Sequence, residues 1–218
     1  PAQGSGIGGT PGYNRVVGVS NRRNTRRVFL SESADFFNWS EPRIVIAPDP
    51  HLDNLDDAFY GMTPLRLGGQ WVGFLNCFHM VDNTMNVELT HSRDGRSWHR
   101  VRPTHPWLDL GPEGAFDRFM VNMPSRPVEV GDEVFIFYGG ARNHHDWWFA
   151  GPSENKDQPH LWSHAPEVTD RNAVGYHLGL AKLRRDGYVS LDAHREREGM
   201  LATQPFIAGG DRLIMNAA

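Results

Sequence analysis

The chain has 218 residues with a net charge of −4, 39% hydrophobic residues, seven Trp and twelve Phe. That composition suits a packed globular domain rather than a disordered chain, and the charge gives no electrostatic footprint for nucleic acid. The single cysteine, Cys77, excludes an internal disulfide framework, and no apolar run approaches the length of a membrane span.

In chain order, residues 1–14 are glycine-rich and read as a loop, without a signal-peptide pattern. The basic run at 22–27 is soon followed by Glu32 and Asp35 and reads as a solvated loop. Helical periodicity is nearly absent. Short apolar segments rich in β-branched and aromatic residues predict strands at 15–20, 26–33, 43–47, 59–67, 71–78, 86–92, 98–102, 119–130, 133–140, 176–184 and 188–192. Gly-Gly, Asp-Gly and Gly-Asp pairs at 67–70, 93–96, 130–133 and 185–188 predict hairpin turns between them.

Two segments repeat each other. Ser33, Asp35 and Trp39 have the same spacing as Ser92, Asp94 and Trp98, fifty-nine residues on. A weaker third copy at 183–191 keeps only Asp-Gly. The spacing suits one four-stranded blade of a β-propeller, the Asp capping the turn between the third and fourth strands and the Trp packing between blades. The predicted fold is therefore all-β, a β-propeller of which this chain covers only part. Residues 1–200 hold the blades: a partial one, a middle one over 59–102, and one over 119–191 swollen by an insertion. Residues 201–218 start a further blade or enter a following domain.

Blade connectivity sorts the polar residues. The starts of innermost strands and the loops joining second to third strands open on one end of the molecule, its front. There the sequence puts Asp56 and Asp57 before one strand, Glu113 and Asp117 before another, and loops around His79 and His144. Asp57 and Asp117 each stand two residues before a Phe, with a Met following, so two neighbouring blades bring acids toward one mouth. Glycoside hydrolysis needs one carboxylic acid and one carboxylate, and crowding like charges separates their roles. Capping of strand ends by the same acids is the plainer alternative.

The segment 139–157 is the other dense site, with Arg142, His144, His145, Asp146, Trp147 and Trp148. Adjacent histidines in an extended chain point opposite ways, which favours a sugar-binding wall over a metal site. Trp147 or Trp148 either stacks on a pyranose or anchors the insertion, and His79 either donates to substrate or serves its loop. Neither a metal nor a cofactor is expected.

These residues resemble a known family. The runs at 56–76, 92–101, 111–121 and 131–140 are similar to bacterial glycoside-hydrolase-like five-bladed propellers, related to glycoside hydrolase families 32 and 43. The resemblance implies a five-bladed β-propeller of glycosidase type, with residues 201–218 as a candidate start of a C-terminal β-sandwich. It also implies three front-face acids, with Asp57 and Asp117 as the two aspartates and Glu113 as the acid. Asp56, His79, Arg142, His144, His145, Asp146, Trp147 and Trp148 would bind substrate. It further implies a carbohydrate substrate, no nucleic-acid or membrane partner, and a secreted or periplasmic bacterial enzyme degrading polysaccharide. The alternatives are a non-catalytic carbohydrate-binding propeller and a propeller-type glycoside phosphorylase, for which Arg142, His144 and His145 would hold phosphate. The invertase-type W-x-N-D-P-N-G motif is absent.

Overall fold

The computed structural model describes residues 2–4, 26–54, 57–147, 165–207 and 209–212. The chain divides into two units, Pro1–Arg185 and Asp186–Ala218. The described residues of the second unit contain neither strand nor helix, so the strand predicted at 188–192 is absent. Among the described residues no helix is long and apolar enough to cross a membrane.

The described residues of the first unit are all-β apart from a one-turn helix at Pro166–Thr169 and a 3-10 turn at Arg171–Ala173. Strands β1 (Ala2–Gly4), β2 (Arg27–Leu30) and β3 (Arg43–Ile46) form a three-stranded antiparallel sheet. The glycine-rich start thus contains a short strand where the sequence predicts only loop. Strands β4 (Ala58–Leu67), β5 (Gln70–His79), β6 (Thr84–Ser92) and β7 (His99–Arg100) form an antiparallel meander, a complete four-stranded blade. β5 is buried on both faces, as the central position of its apolar run demands.

The next blade contains β8 (Met120–Asn122), β9 (Val128–Val130), β10 (Glu133–Ala141) and β11 (Tyr176–Arg184). β8 and β9 pair with opposite ends of β10, and β11 lines its other side. The sequence predicts one strand over 119–130; the structure breaks it because Pro124 and Pro127 have no N–H to give a ladder. A single parallel pair, Met85 with Met120, joins the two blades at their front end. This arrangement of successive blade sheets fits a partial propeller.

Two apolar clusters bind these layers. Val28 and Ile46 of the first sheet pack with Phe59, Met62, Leu75, Cys77 and Trp98. Ala58, Phe78 and Met85 of the complete blade pack with Met120 and Ala141 of the next. Each fully buried Phe among them contributes about 1.5–3 kcal/mol.

The repeated turns are the same structure. The Asp35 carboxylate accepts from the Phe37 and Asn38 N–H groups at 2.9 and 2.7 Å, and Asp94 accepts from Arg96 and Ser97 at 2.8 and 2.7 Å. In each, the Trp indole donates to the carbonyl three residues back, at 3.0 Å. That carbonyl belongs to a residue in the left-handed region, Phe36 (φ 68°) or Gly95 (φ 71°). These backbone bonds hold both carboxyls below the usual carboxylate range. Trp98 is buried between the first sheet and the blade, as predicted; Trp39 is 53% exposed, which the prediction did not anticipate.

Where β8 ends, the buried Met123 has no strand partner. Its N–H donates to Asn76 Oδ1 (2.9 Å) and its carbonyl accepts from Thr63 Oγ1 (2.7 Å), both from the preceding blade. Asn76→Leu leaves the Met123 amide buried and unsatisfied, and chemical denaturation should register a loss of about 1–3 kcal/mol.

Candidate functional site

The register of the complete blade brings Asp57 and His79 together. Ala58 pairs with Phe78, so the residue before β4 lies beside the last residue of β5. His79 Nδ1 and Asp57 Oδ1 are 2.9 Å apart, and Asp57 Oδ2 accepts the Asn54 N–H at 3.1 Å. The Asp57 side chain is buried. Burial opposes a charge on His79, but the hydrogen bond and charge of Asp57 outweigh it and raise the imidazole above its ordinary pKa of 6.5.

Asp117 is also buried and accepts a hydrogen bond from the Tyr138 hydroxyl at 2.8 Å. Burial, reinforced by the Asp117 hydrogen bond and charge, pushes Tyr138 up to about 12, so it stays a donor at neutral pH. Two glycines make room for this acid. A β-carbon on Gly111 would sit 2.0 Å from Asp117 Oδ1, and one on Gly140 would sit 2.7 Å from Asp117 Cβ. Gly111 also donates its N–H to the Asp117 carbonyl at 3.1 Å. Glu113 stands exposed on a tight turn closed by the Ala115 N–H to the Pro112 carbonyl at 3.0 Å.

The insertion's histidines turn to different neighbours. His144 hydrogen-bonds Glu167 of the one-turn helix through Nδ1 and through its N–H, and its ring lies 3.9 Å from that of Phe119. Burial would raise Glu167, but these bonds carry it below its ordinary value. His145 Nδ1 pairs with Asp146 Oδ1 at 2.5 Å, and its ring lies against Tyr60 and Phe78 at 5.0 and 4.5 Å. Asn83, on the β5–β6 loop, holds Asp146 through both amide atoms. Asn83 has φ 57°, a conformation asparagine tolerates well. The Arg142 guanidinium donates to the carbonyls of Asn172 and Ala173 at 2.8 and 3.1 Å, clamping the base of the insertion. Trp147 donates to the Tyr176 hydroxyl at 3.2 Å. Asp56 and Trp148 lie outside the described residues. Among the described residues no three His, Cys, Asp or Glu gather at metal-binding geometry.

A cavity of about 400 Å³ opens between the two blades. Its polar and aromatic wall is made by Tyr60, Asn76, Asn122, His145, Tyr176 and His177, with Gly139, Gly140 and Ala141 as a flat backbone floor. Of the predicted residues that the structure describes, only His145 lines it. Several others support the lining: Asp146 holds His145, Trp147 holds Tyr176, and Asp117 lies against Gly140. Asp57, Asp117 and Glu113 are not in the wall. Sequence reasoning missed Tyr60, Asn76, Asn122, Tyr176 and His177. The amides carried a signal, since Asn76 and Asn122 interrupt otherwise apolar strands.

Fold and site together define an all-β, blade-built protein with a cavity of aromatic, amide, imidazole and methionine side chains where two blades meet. No family model and no curated protein matches the chain. Solved structures that resemble it include the following three. A protein described as "Glycoside hydrolase" is 12% identical over 79% of this chain, with a TM-score of 0.47. The β-1,2-mannobiose phosphorylase of Listeria innocua, in complex with β-1,2-mannobiose, is 20% identical over 54% of the chain (TM-score 0.40). The sucrose-6-phosphate hydrolase of Lactobacillus gasseri is 16% identical over 54% (TM-score 0.40). The chain spans 38%, 30% and 22% of these proteins respectively.

The Asp57–His79 pair gives a testable pH dependence. A histidine raised by folding stabilises most below about pH 6.5, and its contribution fades as pH rises through the raised value. NMR titration should find His79 above 6.5 and find it lowered in Asp57→Asn. The stability gap between the two proteins should be wider at roughly pH 5.5 than at roughly pH 9.

Proposed function

We propose that this chain is part of a glycoside hydrolase that cleaves an oligo- or polysaccharide with its front-end carboxylates. One observation carries the reading: the interblade cavity combines aromatic rings, amides and imidazoles, with Asp117 packed against its glycine floor. Its volume of about 400 Å³ lies in the range of small-molecule sites. Tyr60 and Tyr176 offer ring faces for sugar C–H groups, while Asn76, Asn122, His145 and His177 offer hydrogen bonds to hydroxyls.

In this reading Asp57 and Asp117 are the working aspartates. His79 and Tyr138 orient them, and Glu113, the exposed carboxyl of the three, serves as the acid. Glycoside hydrolysis divides its labour between a proton donor and a carboxylate that attacks or activates water, and three acids at one end can supply both. A secreted or periplasmic bacterial protein degrading polysaccharide suits such chemistry.

The second reading is a carbohydrate-binding propeller without turnover. It is favoured by the absence of all three acids from the cavity wall and by the internal partners that engage Asp57 and Asp117. A propeller phosphorylase finds less support, because Arg142 spends its donors on backbone carbonyls.

A glycan panel assayed with the full-length protein separates these. Asp117→Asn should lower kcat by about a hundredfold or more on whichever glycan is cleaved, with an unchanged circular dichroism spectrum. Glycan binding without turnover in the wild type would establish the second reading.

A further inference from the structure

The two Ser-Asp-Trp turns supply an internal control. At the left-handed position the second turn uses Gly95, where a β-carbon would meet Trp71 Nε1 at 3.2 Å. The first turn uses Phe36, an aromatic in a conformation that side chains disfavour, and follows it with Phe37. Phe36 and Phe37 are 79% and 88% exposed. Neither ring is needed to build the turn. Its hydrogen bonds come from Ser33, Asp35, Asn38 and the Trp39 indole. At the equivalent place a neighbouring sheet leaves the second turn's tip partly open. In the second turn Trp98 is buried between layers, yet Arg96, at the place of Phe37, keeps a 59% exposed side chain.

An exposed aromatic pair held at a strained position by a rigid turn points to a ligand surface rather than a packing role. We propose that Phe36 and Phe37, braced by Trp39, form a second carbohydrate platform that holds an uncharged polysaccharide chain on the back of the molecule. This rests on the reading that the protein acts on carbohydrate. Phe36 meets Trp39 edge-on, with centroids 5.3 Å apart, which fixes its ring orientation. The same turn carries Ser33, Asn38 and Ser40, whose side chains bond within it, and the Arg96–Glu32 ion pair (2.9 Å) ties it to the second turn. These are hydroxyl, amide and guanidinium groups suited to sugar hydroxyls. In the two turns and their flanks Glu32, Asp35, Glu41 and Asp94 outnumber Arg43, Arg93 and Arg96, so an anionic membrane or polyanion is disfavoured and a neutral chain is not.

The platform is remote from the cavity. The nine residues of β6 run from the cavity end to the second turn, a span of about 30 Å. Binding there would tether a long polymer while leaving short oligosaccharides unaffected.

The test is affinity gel electrophoresis of the full-length protein in gels containing mannan, levan, arabinan or xylan. At least one polysaccharide should retard the wild type, and Phe36→Gly combined with Phe37→Ala should weaken that retardation by about tenfold or more. The melting temperature of Phe36→Gly should hold or rise, because glycine relieves the left-handed strain. The double variant should keep its turnover of a short oligosaccharide, whereas Asp117→Asn should lose turnover and keep retardation. Retardation with no turnover of any glycan would remove the hydrolase reading and leave the platform standing. Equal retardation of wild type and double variant, or none in any gel, overturns the platform. So does a fall of several degrees in the Phe36→Gly melting temperature, which would mark the ring as packing. Ring-dependent self-association in sedimentation, or ring-dependent flotation with phosphatidylcholine vesicles, in place of retardation, overturns it too.

Discussion

Buried backbone groups must find partners, and at Met123 that requirement ties one blade to the next. Two prolines end the β8 ladder just where the chain is fully enclosed, so Met123 has no strand neighbour. Asn76 and Thr63 of the preceding blade supply the missing acceptor and donor. The cost of leaving either group unpaired in a dry interior fixes how closely the sheets approach. The cavity follows from this approach, since Asn76 and Asn122 stand in its wall and Gly139 keeps clear of the Asn122 amide.

The same economy of space governs the acids. Asp117 fits because Gly111 and Gly140 withhold β-carbons, and it remains compatible with its buried setting because Tyr138 donates to it. Asp57 is enclosed with a histidine whose charge it favours. A third such pair, His144 with Glu167, fastens the insertion to the β10 end. The buried acids at the front of the molecule are thus separately partnered around the hollow.

The turns show how one backbone can carry different surfaces. Ser33–Trp39 and Ser92–Trp98 share capping bonds, indole contacts and a left-handed residue, yet one presents glycine and arginine and the other two phenylalanines. The geometry is set by the Asp and Ser side chains, leaving the tip residues open to variation.

Much of this was legible in the sequence. Alternating apolar runs and Asp-Gly or Gly-Gly turns located the strands of the complete blade, because strand period and turn chemistry are local properties. The repeat announced itself through Ser, Asp and Trp at fixed spacing, since a capped turn needs only those few neighbours. Connectivity also collected Asp57, His79, Asp117 and His145 at one end, where register alone decides which loops meet. What tertiary structure decided was the assignment of partners: Tyr138 to Asp117, Glu167 to His144, Trp147 to Tyr176. It also decided that Tyr60, Tyr176 and His177 line the hollow while the acids stand outside its wall. Those outcomes depend on how far two sheets separate and how each side chain turns between them. Both are set by packing across the seam, which no local pattern encodes.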